Sequence, residues 1–136
     1  MESFLDHITI NISNPKLSLP FYKDLLLYFD YRIIRDDEHH IAGRKAGSPD
    51  FWVKATEEKY LANKFYRKNI GINHFAFHVP RKEDVDRFCK EFLQERGIKT
   101  LYSSPKSFPK YTKDYYAVYF EDPDRIKLEV CAFSFE

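Results

Sequence analysis

A short pattern occurs twice in this chain, sixty-seven residues apart, and it constrains the fold more than any single motif. Residues 5–12 read Leu-Asp-His-Ile-Thr-Ile-Asn-Ile, and residues 72–79 read Ile-Asn-His-Phe-Ala-Phe-His-Val. Both alternate apolar with polar residues, the period of a half-buried strand. The offset sets His74 on His7 and His78 on Asn11. A strand repeated in this way is read as the start of a duplicated supersecondary unit.

Each copy leads into a helical stretch. In the first half this covers about residues 16–28, where Pro20 leaves two readings: a start near Ser18, or a first turn that tolerates the ring. Phe21, Leu25 and Tyr28 or Phe29 are its expected buried stripe. In the second half Val85, Phe88, Phe92 and Leu93 recur at helical spacing between charges, and Gly97 supplies a left-handed stop. Three strand-like runs follow each helix, about residues 31–35, 39–44 and 50–55, then 98–101, 115–120 and 126–132. Each half therefore reads βαβββ, joined through residues 64–71. Residues 103–114, with Pro105, Pro109 and several lysines, read as an exposed loop. The fold class expected is α+β, one domain of two βαβββ modules (about 1–69 and 70–136) forming a cupped mixed β-sheet.

Composition narrows the partners. The 136 residues are 43% hydrophobic and 18% aromatic, enough to bury a core. Lys and Arg number 22 against 21 acids, and no basic patch interleaved with aromatics stands out, so no nucleic-acid or membrane partner is expected. No apolar stretch approaches the roughly 20 residues of a membrane span. Residues 1–7 lack a basic region followed by an apolar one, so the expected location is cytoplasmic, with Cys89 and Cys131 as reduced thiols.

Strand alternation decides which side chains share a face. In the first strand His7, Thr9 and Asn11 oppose the apolar Ile8, Ile10 and Ile12. In the fifth, His74, Ala76 and His78 oppose Phe75, Phe77 and Val79. In the last, Lys127, Glu129 and Cys131 oppose Ile126, Leu128 and Val130. Taken singly, each histidine or acid would be an ordinary strand residue. Taken in register with a repeat, His7, His74 and Glu129 can converge on one divalent metal if these faces line a cup. Two imidazoles and a carboxylate form a facial set that leaves coordination positions open, as a catalytic site needs. Zn, Ni, Mn, Fe or Co would each accept these ligands. His78 and Thr9 on the same faces are the candidates for catalysis, His78 as a general acid or base or else as a hydrogen-bonded wall. Asn11, Trp52 and Tyr119 are candidates for substrate contact. Cys131 reads as a small filler, and Lys106, Lys110 and Lys113 as solvated charge or collectors of an anionic substrate.

Three stretches then carry a family resemblance. They are Leu-Asp-His-Ile-Thr-Ile at residues 5–10 leading to Pro-Phe-Tyr-Lys-Asp-Leu-Leu at 20–26, Ile-Asn-His-Phe-Ala-Phe at 72–77, and Tyr-Phe-Glu-Asp-Pro-Asp-Arg-Ile-Lys-Leu-Glu at 119–129. Together they resemble the vicinal oxygen chelate superfamily, which includes glyoxalase I, bleomycin-resistance proteins, fosfomycin-resistance transferases and extradiol dioxygenases. The resemblance implies paired βαβββ modules, with His7, His74 and Glu129 as metal ligands. It also implies a homodimer and a small-molecule substrate that offers vicinal oxygens to the metal.

The activity so implied is that of a metal-dependent enzyme, lyase- or isomerase-like, acting on a small oxygenated or carbonyl metabolite or toxin. The alternatives are a metal-free drug-binding protein of the bleomycin-resistance kind and a fosfomycin-type thiol transferase. Two positions depart from the pattern. Trp52 stands where glyoxalase I-like members carry a fourth ligand, commonly glutamate, and Arg125 stands where the turn before the last strand usually has glycine.

Overall fold

The computed structural model describes residues 1–134, and the chain divides between Lys64 and Phe65 into two compact units. In unit 1 the order is β1 (His7–Ile12), α1 (Pro15–Tyr28), β2 (Arg32–Asp36), β3 (His40–Arg44) and β4 (Asp50–Ala55), followed by a single 3-10 turn at Glu58–Tyr60. The strands form one sheet in the order β1-β4-β3-β2, with β1 parallel to β4 and the other pairs antiparallel.

Helix α1 starts earlier than Ser18. Asn14 caps it by accepting the Lys16 N–H, and Pro15 takes a first-turn position where its missing N–H costs nothing. Pro20 therefore falls in the second turn, which neither sequence reading placed it in. It lies on the exposed side, where water can serve the carbonyl it leaves unpaired. The buried stripe is Ser18, Leu19, Tyr22, Leu25 and Leu26, so of the expected stripe Leu25 is buried, while Phe21, Tyr28 and Phe29 are half-buried. These residues cover Ile41, Phe51 and Val53, and Tyr22 stacks on Phe51 at 5.9 Å. Full burial of each such leucine contributes about 1.5–3 kcal/mol. The helix can lie this close because Gly43 of β3 has no side chain: a Cβ there would sit 3.1 Å from Leu26 and Tyr31.

Unit 2 repeats the plan with β5 (His74–His78), α2 (Lys82–Phe88), β6 (Thr100–Ser107), β7 (Tyr116–Glu121) and β8 (Lys127–Ala132), in the order β5-β8-β7-β6 with β5 parallel to β8. Helix α2 continues through a π-helical stretch, Cys89–Gln94. Phe88 stacks on Phe92 and meets Phe120 of β7 at 5.4 Å, above Val118, Leu128 and Val130. Each unit is thus βαβββ, and the chain is α+β as its repeat predicts. Among the described residues no helix is long and apolar enough to cross a membrane.

The repeat extends to the helix ends. In unit 1 the Tyr31 N–H bonds the Leu26 carbonyl and Asp30 bonds Leu27. In unit 2 Ile98 bonds Leu93 and Gly97 bonds Gln94. Both are Schellman closures, with Asp30 at φ 62° and Gly97 at φ 64° in the left-handed position.

The expected loop at residues 103–114 is corrected in part, since residues 103–107 belong to β6. The β6–β7 register jumps between Leu101 and Lys106, so residues 102–105 face the single residue Val118. Buried Ser104 bridges the interruption by accepting the Tyr119 N–H at 3.0 Å and donating to the Leu101 carbonyl at 2.6 Å. Beyond β6, residues 109–114 are the exposed loop expected, with Lys110 and Lys113 in solvent, while the Phe108 N–H bonds the Tyr115 carbonyl and Tyr111 packs on both Phe108 and Tyr115. The turn before β8 does place Arg125 at φ 65°, where glycine would be unstrained. Buried Asp122 holds that turn by accepting the Asp124 and Ile126 N–H groups.

Candidate metal centre

Parallel pairing of β5 with β8 sets Ala76 opposite Glu129, so His74 and Glu129 stand diagonally on one face of unit 2. The Glu129 side chain is 2% exposed and that of His74 33%. Burying a carboxylate is costly unless each oxygen finds a partner. Here Oε1 accepts the Tyr115 hydroxyl, and Oε2 lies 3.0 Å from His74 Nε2.

The other side of the imidazole decides what that last contact can be. His74 Nδ1 is 2.7 Å from Asn73 Oδ1, and the Asn73 amide nitrogen donates to the Arg67 carbonyl, which orients Oδ1 toward the ring. Nδ1 is therefore the donor, and a neutral His74 presents its Nε2 lone pair to a carboxylate oxygen. Two acceptors at that distance need a cation between them or a proton on one. The donor set fits a divalent metal.

In unit 1 the same arrangement surrounds His7, whose Nδ1 lies 2.7 Å from Asp6 Oδ2. Asp6 and Asn73 occupy the same place in the repeat. Thr9 and Asn11 share the exposed face of β1 with His7. Thr9 pairs with Trp52 in β4 as Ala76 pairs with Glu129 in β8, so Trp52 is the register twin of the acid. Among the described residues no three His, Cys, Asp or Glu side chains form a group that could hold a metal ion, so His7 is not brought together with His74 and Glu129 into such a group.

Aromatic side chains wall the His74–Glu129 pair. Tyr119, buried in β7, meets His74 edge-on at 6.1 Å, Tyr102 at 5.3 Å and Phe108 at 5.4 Å. His78 meets Phe133 edge-on at 4.9 Å, and Phe133 stacks on Tyr115. Burial, reinforced by Glu129, pushes the Tyr115 and Tyr119 hydroxyls far above the usual phenol range. Burial also pushes the Cys131 thiol up to about 11, which makes it a poor nucleophile and agrees with its reading as a filler. Lys127 Nζ lies 5.4 Å from the centres of both the Tyr102 and Tyr119 rings, while Lys106 and Lys110 lie over Phe108 and Tyr111. Asp6, Asn73 and Tyr115 escaped the sequence reading. The first two carried a signal, an amide or acid directly before each repeated histidine. Tyr115 carried none.

The family model of the Glyoxalase/Bleomycin resistance protein/Dioxygenase superfamily matches residues 4–130. A candidate glyoxalase from Bacillus halodurans, known from its crystal structure, is 32% identical, with a TM-score of 0.86 over 97% of each chain. The metallothiol transferase FosB of Staphylococcus epidermidis is 27% identical over 131 residues, 93% of this chain and 79% of that protein. The fosfomycin resistance protein FosX of Listeria monocytogenes shares the fold. A mutant of it crystallised with Mn(II) and 1S,2S-dihydroxypropylphosphonic acid has a TM-score of 0.68 at 22% identity, covering 100% of this chain and 94% of that one.

Proposed function

Because the chain belongs to the glyoxalase/bleomycin resistance protein/dioxygenase superfamily, we propose that it is a metal-dependent enzyme acting on a small oxygenated or carbonyl metabolite or an electrophilic toxin, by lyase- or isomerase-like chemistry. The observation that carries this reading is the His74–Glu129 pair, with Nε2 and Oε2 3.0 Å apart and the far nitrogen of the ring already engaged by Asn73. His74 and Glu129 supply two ligands. His7, the repeat partner of His74, is the third, from this chain or from a second copy in a homodimer. When bound, a divalent ion would polarise adjacent substrate oxygens and stabilise the anion that forms on them.

The remaining roles fall to the chain's own side chains. Thr9 and Asn11 can direct a hydroxyl and an amide at polar substrate atoms beside His7, and Trp52 offers an apolar surface. Tyr119 offers a phenol hydroxyl, and His78 is the candidate for moving a proton. The cytoplasm remains the proposed location.

Protein purified without chelator should contain close to one Zn, Ni, Mn, Fe or Co ion per chain by elemental analysis, and His74→Ala and Glu129→Ala should each lose it. A wild-type protein free of all five metals would sink the reading. Small-molecule binding indifferent to His74→Ala would instead favour a metal-free binding protein. A second reading, a fosfomycin-type thiol transferase, is favoured by the identity with FosB and by Trp52 where a fourth acidic ligand would stand. Conjugation of a thiol to fosfomycin, assayed with Mn(II), tests it directly.

A further inference from the structure

Resting on the metal reading above, we propose that Asn73 and Tyr115 are positioning residues which each leave one ligand a single donor atom. Histidine can bind a metal through either ring nitrogen, and glutamate through one oxygen or two. In unit 2 both choices have already been made. Asn73 Oδ1 takes the Nδ1 proton of His74, so only Nε2 is left, and the Tyr115 hydroxyl occupies Oε1 of Glu129, so only Oε2 is left. Nε2 and Oε2 are the two atoms that face each other at 3.0 Å. A ligand confined to one donor atom takes one position on the ion, and the positions it does not take remain for substrate oxygens. A Glu129 free to bind through both oxygens would occupy one of them.

The repeat supports a positioning role over a purely structural one. Asp6 holds His7 Nδ1 at 2.7 Å, the same distance as Asn73 to His74, although one residue is charged and the other neutral. What the two copies share is a side-chain acceptor oxygen directly before the histidine, not a charge. In unit 1 both partners are largely in solvent, with side chains 56% and 78% exposed. A contact between adjacent exposed side chains adds little to stability. Its presence in both copies is better explained by the ring orientation it imposes, since a metal-binding imidazole is oriented through its second nitrogen.

The test uses the full chain, Mn(II) as the probe, and the unfolding midpoint of the metal-free protein as a second readout. Asn73→Ala and Tyr115→Phe should each weaken Mn(II) binding by about 10–100-fold while still binding one ion. Asn73→Asp, which keeps the acceptor, should escape that loss of about 10–100-fold. The metal-free unfolding midpoint of Asn73→Ala should stay at the wild-type value, which a structural role would not allow. Wild-type affinity in both Asn73→Ala and Tyr115→Phe overturns the inference and leaves the metal reading standing. A wild-type protein that binds no Mn(II), Zn, Ni, Fe or Co overturns both. If Tyr115→Phe fails to fold, the Asn73 pair decides alone.

Discussion

On the face that carries the candidate ligands, unit 2 places His74 and Ala76 on β5 beside Glu129 on β8 and Tyr119 on β7. Unit 1 places His7 and Thr9 on β1 beside Trp52 on β4 and Ala42 on β3. The backbones correspond residue for residue, but bulk and charge have been exchanged. Unit 1 has its large aromatic where unit 2 has its acid, and alanine where unit 2 has Tyr119. The hairpins at the far edges differ as well. Between β2 and β3 the register slips at Ile33–Arg35 by a single residue, whereas between β6 and β7 residues 102–105 are accommodated opposite Val118. The offset between repeat partners grows from 67 residues at His7 and His74 to 77 at Trp52 and Glu129, a lengthening of ten shared between the longer β6 with its interruption and the longer loop that follows it, residues 108–115 against 37–39. The two units share one frame, and the His–Glu pair with Tyr119 beside it stands in unit 2 only.

The largest effect should come from breaking the longer hairpin. Ser104 stands in for a missing ladder partner, and Ser104→Ala would strand the buried Tyr119 N–H as well as remove the bond to Leu101. Losing a buried partner costs about 1–3 kcal/mol, readable as a shift in the denaturation midpoint. Ile34→Ala in the simple bulge of unit 1 removes no ladder partner and should cost less. Equal costs for the two substitutions would mean that the backbone closes the longer interruption unaided.

That hairpin also shows where sequence reading stops. The strands, their faces and the helix stop at Gly97 were legible because periods of 2 and 3.6 and a left-handed glycine are local signals. His74 and Glu129 could be set on one face for the same reason. The work of Ser104 depends on a backbone N–H fifteen positions away, and that of Tyr115 on a carboxylate fourteen positions away. Neither spacing belongs to a strand period. Pro20 was harder to place, because an interior proline both loses a hydrogen bond and crowds the preceding turn, and nothing in the local pattern says that the outer side of α1 accommodates it. Asp6 and Asn73 were visible in the repeat, but their bonds to the ring nitrogens were not.

The exchange between Trp52 and Glu129 can be sharpened by reversing half of it. Trp52→Glu gives unit 1 the histidine and acid that unit 2 carries in the same register. The expected outcome in a Mn(II) titration is binding tighter by about tenfold, equivalent to about 1.4 kcal/mol, or a second ion per chain. Unchanged affinity at one ion per chain would show that the register twin is not a chemical one, and that unit 1 contributes only its histidine.

The smallest effect lies at the helix ends, where the copies differ by one side chain in the same backbone state. Asp30 and Gly97 both sit near φ +60° inside identical hydrogen-bond closures. For a residue with a Cβ that conformation costs about 1–2 kcal/mol, less for aspartate, which tolerates it better than most. A carboxylate beside the C-terminal carbonyls of α1 adds a further unfavourable contribution of about 0.3–1 kcal/mol. Glycine removes both but gives back about 0.5–1 kcal/mol through the freedom of the unfolded chain. Asp30→Gly should therefore stabilise by about 0.5 kcal/mol, and Gly97→Asp should destabilise by a similar amount, both read from denaturation midpoints. Opposite signs of similar size would show that the two ends are energetically as well as geometrically equivalent. A loss of stability on Asp30→Gly would instead mean that the Asp30 carboxylate stabilises unit 1 through an interaction that outweighs its strain, and that the likeness of the two closures ends at the backbone.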